Sequence, residues 1–160
     1  MNSNYFLRFL NSRKERIVYG FFIPLSCYGT TFYVQKELLI KLKGLGLTIG
    51  QPKILDYLQT HDGAGQKDIA CGCHIEPGTL TTLLNRMEEN GLVERRMMNG
   101  NRRSYYVFMT DKGKKQAHAV AEAFMELEEQ AFCGLSDEER TILMELFIKI
   151  YHNTMVGKEA

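Results

Sequence analysis

Apolar positions recur with helical spacing along most of this chain and with strand-like alternation over one stretch. Leu80, Leu83, Leu84 and Met87 fall at i, i+3, i+4 and i+7, which predicts a helix over 77–90 with one apolar face. Pro77 suits its first turn, where the missing N–H is not needed, and Gly91 is the expected left-handed stop. Opposite the stripe lie Gly78, Thr82, Asn85 and Glu89, flanked by Thr81 and Arg86. Upstream, Leu25, Tyr28, Phe32, Gln35, Leu39 and Leu42 step by three and four, with Leu38 widening the stripe. They predict a long helix over 25–43, ended by Gly44 and Gly46. Thr48-Ile49-Gly50-Gln51 reads as a capping box opening a helix that buries Ile54, Leu55 and Leu58. His61 to Gly65 reads as a turn and Gln66 to Cys73 as a short helix.

The alternating stretch runs from Leu92 to Thr110. Asn99-Gly100 at its centre is a strong hairpin signal, because both residues tolerate the positive φ of a type I′ turn. Leu92, Val93, Tyr105, Val107 and Met109 are expected on the inner face, with Tyr106 and Phe108 on the other. Asp111-Lys112-Gly113 then opens a long helix with Ala117, Val120, Ala121, Phe124, Leu127 and Ala131 in its stripe. Cys133-Gly134 breaks it. Ser136-Asp137-Glu138-Glu139 is a second capping box, starting a last helix with Leu143, Leu146, Phe147 and Ile150 inward. Two such helices have little of their own chain to cover, so they point to a homodimer.

Charge sharpens this picture. Between 95 and 115 stand Arg95, Arg96, Arg102, Arg103, Lys112, Lys114 and Lys115 against Asp111 alone, in a chain whose formal net charge is only +1. Basic charge concentrated in and beside a hairpin, directly after a helix with a Thr/Asn/Arg face, suits phosphate and base edges. Taken alone, that helix is no more than a surface helix, and the arginines no more than a charged sheet edge that resists aggregation. Arg95 is also suited to holding the wing through an ion pair. The near-neutral total argues against indiscriminate coating of nucleic acid.

The 160 residues, 44% hydrophobic and 24% charged, fit one ordinary globular domain with a sizeable core. No apolar run reaches the roughly 18 residues of a membrane span. Arg8, Arg13, Lys14, Glu15 and Arg16 interrupt the apolar N-terminal residues, so a signal peptide is not expected and a cytoplasmic location is. Cysteines there are thiols rather than disulfides. Residues 1–24 read as an extension whose apolar clusters flank a charged middle.

Candidate chemistry is sparse. Cys71-Gly72-Cys73-His74 has C-x-C rather than zinc spacing, and residues two apart on a helix do not face each other, so no metal is expected. His61, His118 and His152 stand without a paired acid or nucleophile. No phosphate-cradling loop, catalytic triad or carboxylate pair stands out. An enzyme and a cofactor are therefore not expected.

The strings GLTIGQPKIL (46–55), QKDIA (66–70), GTLTTLLNRMEENGLVERR (78–96) and RRSYYVFMTDKG (102–113), collinear and correctly spaced, resemble the MarR family of bacterial regulators. The resemblance implies a mainly α fold with a small two- to three-stranded β wing. The winged helix-turn-helix would occupy 46–113 of a domain spanning 25–156, with dimerisation helices at 25–43 and 111–156. By register with the family, Ile69, Ala70 and Cys73 pack, while His74 replaces a usual left-handed Gly and Glu76 a usual Ser or Asp cap. The implied function is sequence-specific DNA binding by a homodimer, most often as a repressor, on a palindromic operator with half-sites ~34 Å apart. Gly78, Thr79, Thr81, Thr82, Asn85 and Arg86 would present to the major groove. Arg102 or Arg103 would reach a minor groove or its phosphates, and Lys112 a backbone phosphate. A pocket between dimerisation helices and winged helix would suit a small aromatic or apolar effector.

The peroxide sensors of OhrR type in this family suggest a redox role for Cys27 beside Tyr28 and Tyr33; an inert half-buried cysteine is the plainer alternative. Winged helices that dock proteins are a rival class, but such a wing has no need of four arginines. An enzyme's dimerisation domain, as in some methyltransferases, is not expected, since 160 residues leave no room for a cofactor domain.

Overall fold

The computed structural model describes the backbone of residues 22–97 and 105–155 and the side chains of 29–97 and 105–154. Helix α1 (Phe22–Lys41) leads through a 3-10 turn (Lys43–Leu45) to α2 (Gln51–Thr60). Strand β1 (Ala64–Gly65) precedes α3 (Gln66–Gly72) and α4 (Pro77–Glu89). Strands β2 (Val93–Met97) and β3 (Tyr105–Met109) are followed by α5 (Asp111–Ala131) and α6 (Asp137–Met155). This is the mainly helical architecture expected, with each helix boundary within a few residues of its periodic stripe. The chain divides into two compact units at Ala123/Phe124.

The first unit has one core. Ile54, Leu55 and Leu58 of α2, Ile69 of α3, Leu80, Leu84 and Met87 of α4, Val93 and Val107 of the sheet, and Val120 of α5 are all essentially inaccessible. At roughly 1.5–3 kcal/mol per fully buried large aliphatic side chain, this cluster is the main favourable term holding the elements in place. The sheet is antiparallel in the order β1-β3-β2, with Val93 opposite Met109, Arg95 opposite Val107 and Met97 opposite Tyr105.

Several details differ from the sequence reading. The stretch 61–65 is more than a turn: Ala64 and Gly65 pair with Val107 and Tyr106, giving the sheet its third strand. Gly63 turns the chain at φ 83° and donates its N–H to the Val107 carbonyl at 2.8 Å. Tyr105 alternates correctly but lies beyond the core and is 45% exposed. The box at 48–51 closes by half: the Thr48 N–H donates to Gln51 Oε1 at 2.8 Å, but the Gln51 N–H goes to the Thr48 carbonyl, and Gly50 at φ 91° is the cap. The Ser136 box closes fully, with Ser136 N–H to Glu139 Oε2 at 2.8 Å and Glu139 N–H to Ser136 Oγ at 3.2 Å. In α5, Ala117, Val120 and Leu127 are buried as expected, whereas Ala131 is exposed and Ala123 is buried instead. Leu38 of α1 and Leu42 just beyond its end are buried, but Phe32 is exposed.

The second unit behaves differently. Of the residues expected inward on α6, Leu143 is half-buried, while Leu146, Phe147 and Ile150 are 50%, 47% and 40% exposed. Within this unit that stripe stays open.

Candidate nucleic-acid interface

Helices α3 and α4 pack together through the turn at 73–76. That turn is a Schellman closure: His74 N–H donates to the Cys71 carbonyl at 3.1 Å and Ile75 N–H to the Ala70 carbonyl at 2.9 Å. The motif requires a left-handed residue, and His74 supplies it at φ 50°, where a glycine is unstrained. Ile69, Ala70 and Cys73 are buried. Helix α4 starts at Pro77 with no side-chain cap from Glu76. It ends in a second Schellman closure, Gly91 N–H to the Glu88 carbonyl at 2.9 Å and Leu92 N–H to the Met87 carbonyl at 2.8 Å, with Gly91 at φ 67°.

With Leu80, Leu83, Leu84 and Met87 turned into the core, Gly78, Thr79, Thr81, Thr82, Asn85 and Arg86 are all exposed. A Cβ at Gly78 would meet nothing, so the fold has no need of glycine there and the first turn presents bare backbone. Thr81 Oγ1 donates to the Pro77 carbonyl at 3.0 Å and Thr82 Oγ1 to the Gly78 carbonyl at 3.2 Å. Those protons are committed within the helix. What the two threonines offer outward is lone pairs and methyl groups, the complements of base amino groups and a thymine methyl.

The hairpin is fixed to the far end of α4. Arg95 donates from Nε to Glu88 Oε2 and from its backbone N–H to Glu88 Oε1, both at 3.0 Å. Those hydrogen bonds hold the Glu88 carboxyl below the ordinary carboxylate range. Arg96 pairs with Glu94 and lies 4.9 Å above the Phe108 ring. Two of the four arginines that suggested a basic wing thus answer carboxylates of their own chain. Glu88 is the anchor of the wing. Sequence reasoning allowed an ion pair for Arg95 but named no partner; Glu88 lies seven residues upstream across a helix end, where no local periodicity links the two. Arg102, Arg103 and the Asn99-Gly100 turn lie outside the described residues.

Lys112 donates from Nζ to the Asn90 carbonyl at 2.8 Å. Cys73 is buried; its Sγ donates to the Lys53 carbonyl at 3.6 Å, while Lys53 Nζ donates to the Cys73 carbonyl at 2.9 Å. Burial pushes the Cys73 thiol up to about 11, against a smaller opposing effect of Lys53. Cys71 is exposed, so the two sulfurs do not share a site. The Cys27 side chain lies outside those described.

A helix-turn-helix whose second helix carries an exposed polar face, backed by a three-stranded antiparallel wing, defines the winged helix-turn-helix class. Residues 47–105 match the MarR family model. Over those residues the chain is similar to the MarR family, whose members are transcriptional regulators. Over 106 residues it is 27% identical to a Thauera aromatica protein named for regulation of the hcr operon, covering 66% of this chain and 64% of that one. It thus spans just under two thirds of that relative. The crystal structure of a MarR transcriptional regulator from Methanosarcina mazei Go1 is 26% identical, with a TM-score of 0.80, over 90% of this chain and 97% of that one. Reduced AbfR bound to DNA is 27% identical, with a TM-score of 0.64, over 81% and 89%.

Proposed function

We propose that this protein binds double-stranded DNA sequence-specifically as a homodimer and regulates transcription from a palindromic operator, as a repressor released by a small aromatic or apolar effector. The observation that carries the reading is the division of α4: every apolar residue of its stripe is buried, and Thr79, Thr81, Thr82, Asn85 and Arg86 are all exposed. Such a face fits a major groove, with Asn85 and Arg86 able to make paired hydrogen bonds to base edges. The likeness to a regulator solved on DNA supports the same orientation. Arg102 and Arg103, which fall between β2 and β3 in the sequence, are assigned to the adjacent minor groove or its phosphates. The open stripe of α6 supports the homodimer, since Leu146, Phe147 and Ile150 would otherwise face water. The place of work is then the cytoplasm, with the DNA.

Selection of bound sequences from random duplexes, with and without small aromatic ligands, tests this. A palindromic consensus is expected. Asn85→Ala should change the preferred sequence. Arg103→Ala should weaken binding to all duplexes and reduce its salt dependence by about one counterion. Recovery of no consensus, or both variants selecting and binding like wild type, refutes the assignment.

A further inference from the structure

The joint between α4 and α5 brings Lys112 to the end of the preceding helix. Three residues at the start of α5 grip the turn that ends α4. The Thr110 N–H donates to the Leu92 carbonyl at 3.0 Å, and its hydroxyl donates to the Gly91 carbonyl at 2.6 Å. That same hydroxyl accepts the Gly113 N–H at 3.0 Å. Gly113 lies so close that a Cβ there would overlap the Leu92 carbonyl. Lys112 completes the grip through Asn90, the C-cap of α4.

Electrostatics favour this arrangement. A lysine in the first turn of α5 sits at the positive end of its own helix dipole, which is unfavourable. Helix α4 ends with Glu88 and Glu89, the wrong sign for its negative end. Arg95 answers Glu88. Lys112 brings its ammonium to the carbonyl end of α4, where a cation is stabilising, and so offsets the cost in its own helix.

We propose that Lys112 is a positioning residue: it fixes the C-terminal end of the reading helix to α5 and thereby sets the angle at which Asn85 and Arg86 meet a duplex. This rests on the DNA-binding reading above. It separates cleanly from a phosphate contact. Loss of a phosphate contact weakens all duplexes alike and lowers the salt slope. Loss of a positioning contact weakens the preferred duplex most and leaves the slope unchanged.

The test is binding of wild type, Lys112→Met and Lys112→Arg to the wild-type consensus duplex and to a scrambled one, across a series of salt concentrations. Lys112→Met should bind the consensus about three- to tenfold more weakly, a loss the size of one partly exposed helix-end charge. Its salt lines should run parallel to wild type, and the scrambled duplex should change little. Lys112→Arg, which can reach the same carbonyl, should restore the consensus affinity. Equal weakening of both duplexes with a shallower slope makes Lys112 a phosphate contact and overturns the proposal. Unchanged binding by Lys112→Met, or no rescue by arginine, also overturns it. Wild type that prefers no duplex overturns the DNA-binding reading itself, and this inference with it.

Discussion

Helices α4 and α6 carry the same kind of apolar spacing and meet opposite fates. In α4, Leu80, Leu84 and Met87 are closed to solvent by their own chain. In α6, Leu146, Phe147 and Ile150 stay 40–50% exposed, with Ile142 and Ile148 more exposed still. An amphipathic pattern states that a face favours burial; it does not state what buries it. Both helices carry threonine, asparagine and arginine, so polar content does not separate them; only in α4 is the apolar stripe closed. A face held by a closed core suits the groove-reading role proposed for α4.

Truncation should split the two helices most widely. Leu84→Ala removes a fully buried side chain and should cost about 2–5 kcal/mol in urea unfolding, the same at every protein concentration. Phe147→Ala should cost little at high dilution and progressively more as concentration rises, because the proposed homodimer would cover the residue with a second chain. A concentration-independent loss for Phe147→Ala would mean that α6 is covered within one chain, and the contrast would collapse.

A smaller effect should separate α4 from its wing. Glu88→Gln removes the anchor of Arg95 but leaves the helix stripe intact. The pair is partly exposed, with side-chain accessibilities of 38% and 22%, so about 1 kcal/mol is expected at neutral pH. The sign with pH follows from the lowered carboxyl. Its contribution is fully present above the unfolded value of about 4.3 and is lost as pH falls through the lower folded value. The difference between wild type and Glu88→Gln should therefore vanish in strong acid. A difference that persists at pH 2 would assign it to packing.

The smallest effect lies in the turn before α4. His74 holds a left-handed backbone that suits glycine. His74→Gly should stabilise by about 0.5–1 kcal/mol, after the added freedom of the unfolded chain is set against the relieved strain. A lower thermal midpoint would show that the imidazole contributes more than its backbone costs.

Local order along the chain was legible at the level of elements. The Leu80-Leu83-Leu84-Met87 spacing named the core face of α4 and, by subtraction, its exposed face, because a helix of 3.6 residues per turn leaves no other assignment. Pro77, Gly91 and the Ser136 box marked helix ends through backbone chemistry that needs no distant partner. What the sequence could not settle was pairing across space. Arg95 was suited to an ion pair, but its partner Glu88 was set only by folding. By its sequence Lys112 is a candidate for a backbone phosphate; that its ammonium reaches the Asn90 carbonyl is visible only in the fold. The stretch at 61–65 became a strand edge only because Val107 and Tyr106 lay beside it. Periodicity is set by the local geometry of one helix or strand. The partner of a charge, or of a bare backbone edge, is set by which elements the tertiary fold makes neighbours.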